Sequence, residues 1–171
     1  YPGDRRSTMI NGALPTVAAL AGAHEIVLID ENVEEIDWGA LDRFDIVGVT
    51  GMNVQRERQR QILERLREID TYVVVGGPYV SVKEEAFEGL CDTMFVGEAD
   101  ETWPRFLDDF AAGSPVKQRY EQEGRTDMTT LPIPRYDLLR VNRYASGSLQ
   151  FSRGCPFQCE FCDIIVTFGR R

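Results

Sequence analysis

Four short apolar runs rich in β-branched residues recur along the first hundred positions: EIVLID (25–30), DIVGVT (45–50), YVVVGG (72–77) and TMFVG (93–97). Each is bounded by polar residues or glycine, the pattern of strands buried on both faces. Segments of helical length separate them. Residues 11–22 include Val17, Ala18 and Leu20. Residues 54–69 place Ile62, Leu63, Leu66 and Ile69 on one stripe, behind a polar first half (QRERQRQ) that reads as a solvated face. Residues 82–90 and 101–111 follow, the last with Asp100 as its N-cap. Strands alternating with helices at this spacing make βαβ units and a parallel sheet. The expected fold is a flavodoxin- or Rossmann-like, doubly wound α/β domain over residues 1–112.

Such a sheet opens with a strand, yet YPGDRRSTMI (1–10) reads as a loop leading into the first helix. In the order 2-1-3-4-5 the absent first strand would be an internal one. The chain starts at Tyr1 without an initiator Met and ends on Gly169-Arg170-Arg171, so both ends read as cut and the chain as the N-terminal fragment of a longer protein. Residues 113–143 are polar, and Pro132 and Pro134 fix an extended path, as in a linker. Within it Leu131, Ile133, Tyr136, Leu138 and Leu139 suggest a packed strap. SLQFS (148–152) reads as a strand, and residues 144–171 as the start of a second domain.

With 171 residues there is room for one full domain and part of another. No apolar run approaches the roughly 20 residues that span a bilayer. A formal charge of −9 argues against a nucleic-acid backbone as the main partner. Four cysteines are too few for a disulfide scaffold, which favours a cytoplasmic metal or redox role over a secreted one.

Three of those cysteines stand in SRGCPFQCEFCDI (152–164), as Cys155-x3-Cys159-x2-Cys162. Soft sulfur ligands from one short loop select zinc, copper or an iron–sulfur cluster. A disulfide would leave one thiol odd. Structural zinc wants four protein ligands, and Cys91 and His24 lie in no knuckle. A [4Fe–4S] cluster on three thiolates keeps one iron open, and the spacing favours it.

This motif, with Phe161 just before its last cysteine, resembles the signature of the radical S-adenosylmethionine (SAM) enzymes. The resemblance implies that Cys155, Cys159 and Cys162 bind three irons of a [4Fe–4S] cluster, that the fourth iron chelates SAM, and that Phe161 belongs to the SAM site. It also implies an electron transfer that cleaves SAM to a 5′-deoxyadenosyl radical, and a (β/α) barrel of which only the start is present. The preceding stretches VLIDEN (27–32), DIVGVTGM (45–52), VVVGGPY (73–79) and VGEADETWP (96–104) resemble the cobalamin-binding domain of cobalamin-dependent radical SAM proteins. By that resemblance Thr50, Gly51 and Met52 lie against the corrin, while Gly76, Gly77, Pro78 and Tyr79 line its nucleotide tail beside Gly97 and Glu98. Ligands of such sheets sit at their carboxyl edge, where glycine lets backbone approach them closely.

The Asp-x-His-x-x-Gly motif that ligates cobalt elsewhere is absent, and His24 reads as a structural residue at the entry to 25–30. LPIPRYDLL (131–139) and QFSRGCPFQCEFCDIIVTFGR (150–170) are most similar to the branch containing hopanoid C-2 methylases. The implied function is cobalamin-dependent radical SAM methyl transfer to an unactivated carbon of a small-molecule or lipid substrate, a hopanoid-type lipid among the candidates. An electron donor such as ferredoxin or flavodoxin is the implied partner. The alternatives are radical SAM ring formation or rearrangement, and a non-enzymatic α/β binding module with a three-cysteine zinc site. Glu98-Ala99-Asp100-Glu101 reads as a helix N-terminal charge cluster and Arg153 as a surface residue.

Overall fold

The structure, a computed structural model, describes residues 7–114, 116–160, 162, 164, 168 and 169. It divides into two compact units. One is built from the residues up to 37 together with 127–152, the other from 38–126 together with 153 onward.

The second unit carries the parallel sheet. β2 (Ile46–Thr50), β3 (Tyr72–Gly76), β4 (Thr93–Val96) and β5 (Arg119–Glu121) pair in chain order, all parallel. α2 (Arg56–Leu66), α3 (Pro78–Val82) and α4 (Thr102–Ala111) make the crossovers. Register runs from Ile46 opposite Tyr72 to Thr50 opposite Gly76, so β2 and β3 end level at the carboxyl edge. Val73, Val74 and Val75 are all buried, as a strand covered on both faces requires. Side-chain alternation puts Tyr72, Phe95 and Tyr120 on one face. α4 covers that face with Trp103, Phe106 and Phe110, at ring-centroid distances of 5.1–5.9 Å. Thr93, buried at the start of β4, satisfies its hydroxyl on the Lys117 carbonyl and Tyr72 Oη, both at 2.8 Å.

The first unit is smaller. β1 (Ser7–Met9) pairs in parallel with β6 (Tyr144–Ser146), and α1 (Ala13–Leu20) follows β1. Ile10, Val33, Leu139 and Tyr144 form its core, with Leu28 and Tyr136 packed against them. The strap expected over 131–139 thus supplies Leu139 and Tyr136 to a core, while Ile133 stays exposed.

The parallel α/β class and three of the four expected strands match within a residue. The departures have physical causes. EIVLID (25–30) forms no strand, because none of the described strands shares a hydrogen-bond ladder with it. Ser7–Met9, expected as loop, finds a ladder in β6. SLQFS (148–152) forms no strand; the strand lies earlier, at β6. Residues 119–121, expected as linker, become β5. The helix expected over 82–90 starts at Pro78 instead, whose fixed φ suits a first helical turn, and it stops where Lys83 turns to φ −150°. Residues 84–86 make only a 3₁₀ turn.

Candidate cofactor site

In a parallel sheet every strand ends at the same edge, so the loops after β2, β3 and β4 emerge together. Every residue that the resemblance assigns to cobalamin lies at or just beyond the carboxyl ends of β2, β3 and β4. Gly77 has φ +110°, and a Cβ there would stand 2.8 Å from Thr50 Oγ1 and 3.0 Å from the Gly51 carbonyl oxygen. Its glycine is therefore required by the close packing of two loops. Gly51 faces Gln59 in the same way, since a Cβ on Gly51 would stand 2.9 Å from Gln59 Cδ. Gln59 lies on α2 and is only 2% exposed, and its Nε2 donates to the Gly76 carbonyl at 3.5 Å. Its Oε1 finds no partner among the described residues.

The third loop is tied in by Ser81 of α3. Its hydroxyl donates to the Gly77 carbonyl at 3.1 Å and accepts the Gly97 N–H at 2.8 Å. Gly97 has φ +75°, with nothing within 4 Å of where a side chain would project. Pro78 begins α3, and Tyr79 packs edge-on against Phe87 beneath the Arg56 guanidinium. Met52 is 51% exposed at the rim, its N–H held by Gln55 Oε1. The edge thus offers an exposed thioether, open backbone at Gly97 and a rigid floor.

Glu98 and Asp100 do something the sequence did not suggest. Both are 7% exposed in their side chains, and both bind Arg153, itself 13% exposed. Arg153 Nη1 donates to Glu98 Oε1 at 2.9 Å and to Asp100 Oδ2, and Nη2 donates to Asp100 Oδ1 at 3.1 Å. Thr126 closes the set: its N–H donates to Glu98 Oε2 at 2.8 Å and its hydroxyl to Asp100 Oδ2 at 2.9 Å. Burial works against the Arg153 charge, but its hydrogen bonds to Asp100 and Glu98 outweigh this and hold its pKa above the ordinary value. Two sequence expectations are corrected here. Arg153 is half-buried in ion pairs, and Asp100 does not cap α4, whose N-cap is Glu101 with no side-chain cap bond.

Two residues after Arg153 comes the cysteine loop. The Cys155 N–H donates to the Gly169 carbonyl at 3.2 Å, and the Cys162 N–H to the Cys159 carbonyl at 3.2 Å. All three thiols are free, with Cys159 exposed and the others half-buried. Among the described residues no three His, Cys, Asp or Glu side chains gather closely enough to hold a metal ion. The donor set itself suits an iron–sulfur cluster, being three soft thiols within eight positions. Phe161 lies outside the described residues. Cys91 stands apart at the amino end of β4, where burial, aided by Asp92, pushes its thiol up to about 11. His24 is exposed, and its N–H closes a turn onto Ala21.

No protein-family model matches the chain. It is 39% identical over 161 residues, 94% of its length, to an uncharacterized methyltransferase of Synechocystis. It is 34% identical over 162 residues, 93% of its length, to the hopanoid C-2 methylase of Rhodopseudomonas palustris. With the bacteriochlorophyllide d C-8(2)-methyltransferase of Chlorobaculum tepidum it shares 30% identity over 147 residues, 81% of its length. The chain covers 30%, 31% and 32% of these three proteins, about a third of each. The resemblance read from the sequence is borne out: this chain is a relative of the hopanoid C-2 methylase and its neighbours. Among the described residues no helix is long and apolar enough to cross a membrane.

Proposed function

We propose that this relative of the hopanoid and bacteriochlorophyllide methylases is the cofactor-binding part of a cobalamin-dependent radical SAM methyltransferase. The methyl acceptor is an unactivated carbon of a small molecule or a lipid. The observation that carries this reading is the cysteine loop, with three free thiols two residues beyond an arginine anchored in the carboxyl edge of a parallel α/β sheet. When bound, a [4Fe–4S] cluster supplies the electron that cleaves SAM, and cobalamin carries the methyl group.

The chain's own residues hold and orient these groups. Cys155, Cys159 and Cys162 are the cluster's ligands, and Phe161 is an apolar wall for SAM. Thr50, Gly51 and Met52 meet the corrin, with Met52 the exposed apolar contact. Gly97 offers backbone that a ligand can approach without a side chain in the way. Gly76, Gly77, Pro78 and Tyr79 support that floor. Free thiols of this kind persist in a reducing, cytoplasmic setting, where a ferredoxin- or flavodoxin-type protein donates the electron.

Gly97→Asn tests the cobalamin half. Asparagine tolerates positive φ, so the loop survives while its side chain enters the open space. In the whole protein the variant is expected to lose cobalamin absorbance at least about tenfold in affinity, some 1.4 kcal/mol, with iron content unchanged. Native cobalamin binding by the variant contradicts the assignment of this edge.

A further inference from the structure

We infer that Arg153 is a positioning residue, which fixes the cysteine loop to the carboxyl edge of the sheet and so sets where the cluster stands relative to the second cofactor. The inference rests on the function proposed above, and its first test is independent of it.

Residues 151–160 contain no strand or helix, so no backbone ladder holds the loop's leading end in place. The Cys155 N–H closes onto the Gly169 carbonyl within the loop itself, and the Arg153 side chain ties the loop to the sheet. The guanidinium lies fork-on to Asp100 and reaches Glu98 with the same Nη1, joining positions 53 and 55 residues apart in the chain. Thr126 bonds both carboxylates, and the amide of Gln122 links Thr126 Oγ1, at 2.9 Å, to the Glu101 N–H, also at 2.9 Å. Three segments, 98–101, 122–126 and 153, are thereby locked together. All four carboxylate oxygens are engaged inside this network. Glu98 therefore serves as an anchor for the loop, and its carboxylate has no free oxygen directed at a cofactor.

The charges decide how firmly this anchor holds. Two carboxylates that are each 7% exposed face one arginine, so loss of the cation leaves both buried and uncompensated. Lysine keeps the charge but cannot reproduce the fork, since a point donor meets one oxygen at a time. The anchor is thus specific to arginine.

The test uses the whole protein with Arg153→Lys, Arg153→Met and Asp100→Asn. Amide hydrogen exchange over residues 153–160, measured before any cofactor is added, should accelerate about tenfold or more in Arg153→Met and Asp100→Asn. It should accelerate less in Arg153→Lys, with the β3 and β4 amides unchanged. After reconstitution, iron per chain should stay native while methylated product formed per 5′-deoxyadenosine falls, because the radical step and the methyl donor are no longer aligned. If Arg153→Met does not fold, Arg153→Lys and Asp100→Asn decide. Native exchange in those two variants overturns the inference. So does iron loss in Arg153→Lys with loop exchange unchanged, since the residue would then act on the cluster itself. Accelerated exchange in a protein that binds zinc and no iron would keep the anchor and refute the proposed function.

Discussion

At Gly154 the backbone sits at φ +96°, and a Cβ would stand 2.7 Å from the Gly169 carbonyl oxygen and 3.2 Å from that of Phe168. Both backbone strain and contact with main-chain atoms oppose any side chain there. That same Gly169 carbonyl accepts the Cys155 N–H, so Gly154 lets the two ends of the cysteine loop meet. Gly154→Ala should lower iron per chain after reconstitution by half or more while leaving the sheet's thermal midpoint unchanged. A variant with full iron would show that this closure is dispensable. Cys91 makes a different statement. Its thiol is pushed from 9.0 up to about 11, chiefly by burial, so the folded state favours the protonated form. The stability this contributes is complete below pH 9 and disappears as pH rises through 11. Denaturation midpoints measured between pH 8 and 11 should therefore fall more steeply for the native protein than for Cys91→Ala. Parallel slopes would contradict the shift.

Among the elements, those whose burial is complete were legible in the sequence. β3 reads directly from Tyr72–Gly76, because three successive valines have nowhere to go but a two-sided core. β5 is illegible, since Arg119, Tyr120 and Glu121 become a strand only because β4 offers an edge. EIVLID shows the converse, having strand composition without a pairing partner. Its last residue has another use. Asp30 is buried, accepts the Tyr144 hydroxyl at 2.7 Å, and takes the Asn32 N–H on its other oxygen at 2.9 Å. Tyr144 is pushed well above the usual phenol range by burial and then by Asp30. Tyr144→Phe keeps the ring but removes the hydroxyl donor to Oδ2 of a buried carboxylate, at a cost of about 1–3 kcal/mol. Urea denaturation should register that loss in the unit that contains β1 and β6. A change below about 0.5 kcal/mol, ordinary for an exposed position, would mean that water replaces the bond.

For the whole molecule, the cysteines were legible and their anchor was not. Spacing alone marks Cys155, Cys159 and Cys162 as the proposed ligands, because three cysteines within eight positions leave a local pattern. Arg153, Glu98, Asp100 and Thr126 leave none, since they meet only after four strands are in register. Gln59 is an intermediate case. It lies four residues before Leu63 and seven before Leu66, on the buried stripe, and that spacing sets it apart from the solvated half of its helix. The same distinction bears on the glycines. Gly77 is explained by a neighbouring loop, whereas Gly97 is explained by its own φ of +75°.

The central claim is that the three thiols hold one cluster and that the cluster cleaves SAM. Iron and sulfide per chain, measured after anaerobic reconstitution of the whole protein, test it most directly when 5′-deoxyadenosine is followed in the same samples. The native protein should carry about four irons on its three thiolates. Cys155→Ala, Cys159→Ala and Cys162→Ala should each lose the cluster and SAM cleavage together, while Cys91→Ala keeps both. A single variant of the three that retains four irons and the native cleavage rate, or a native protein that binds one zinc and no iron, would contradict the account.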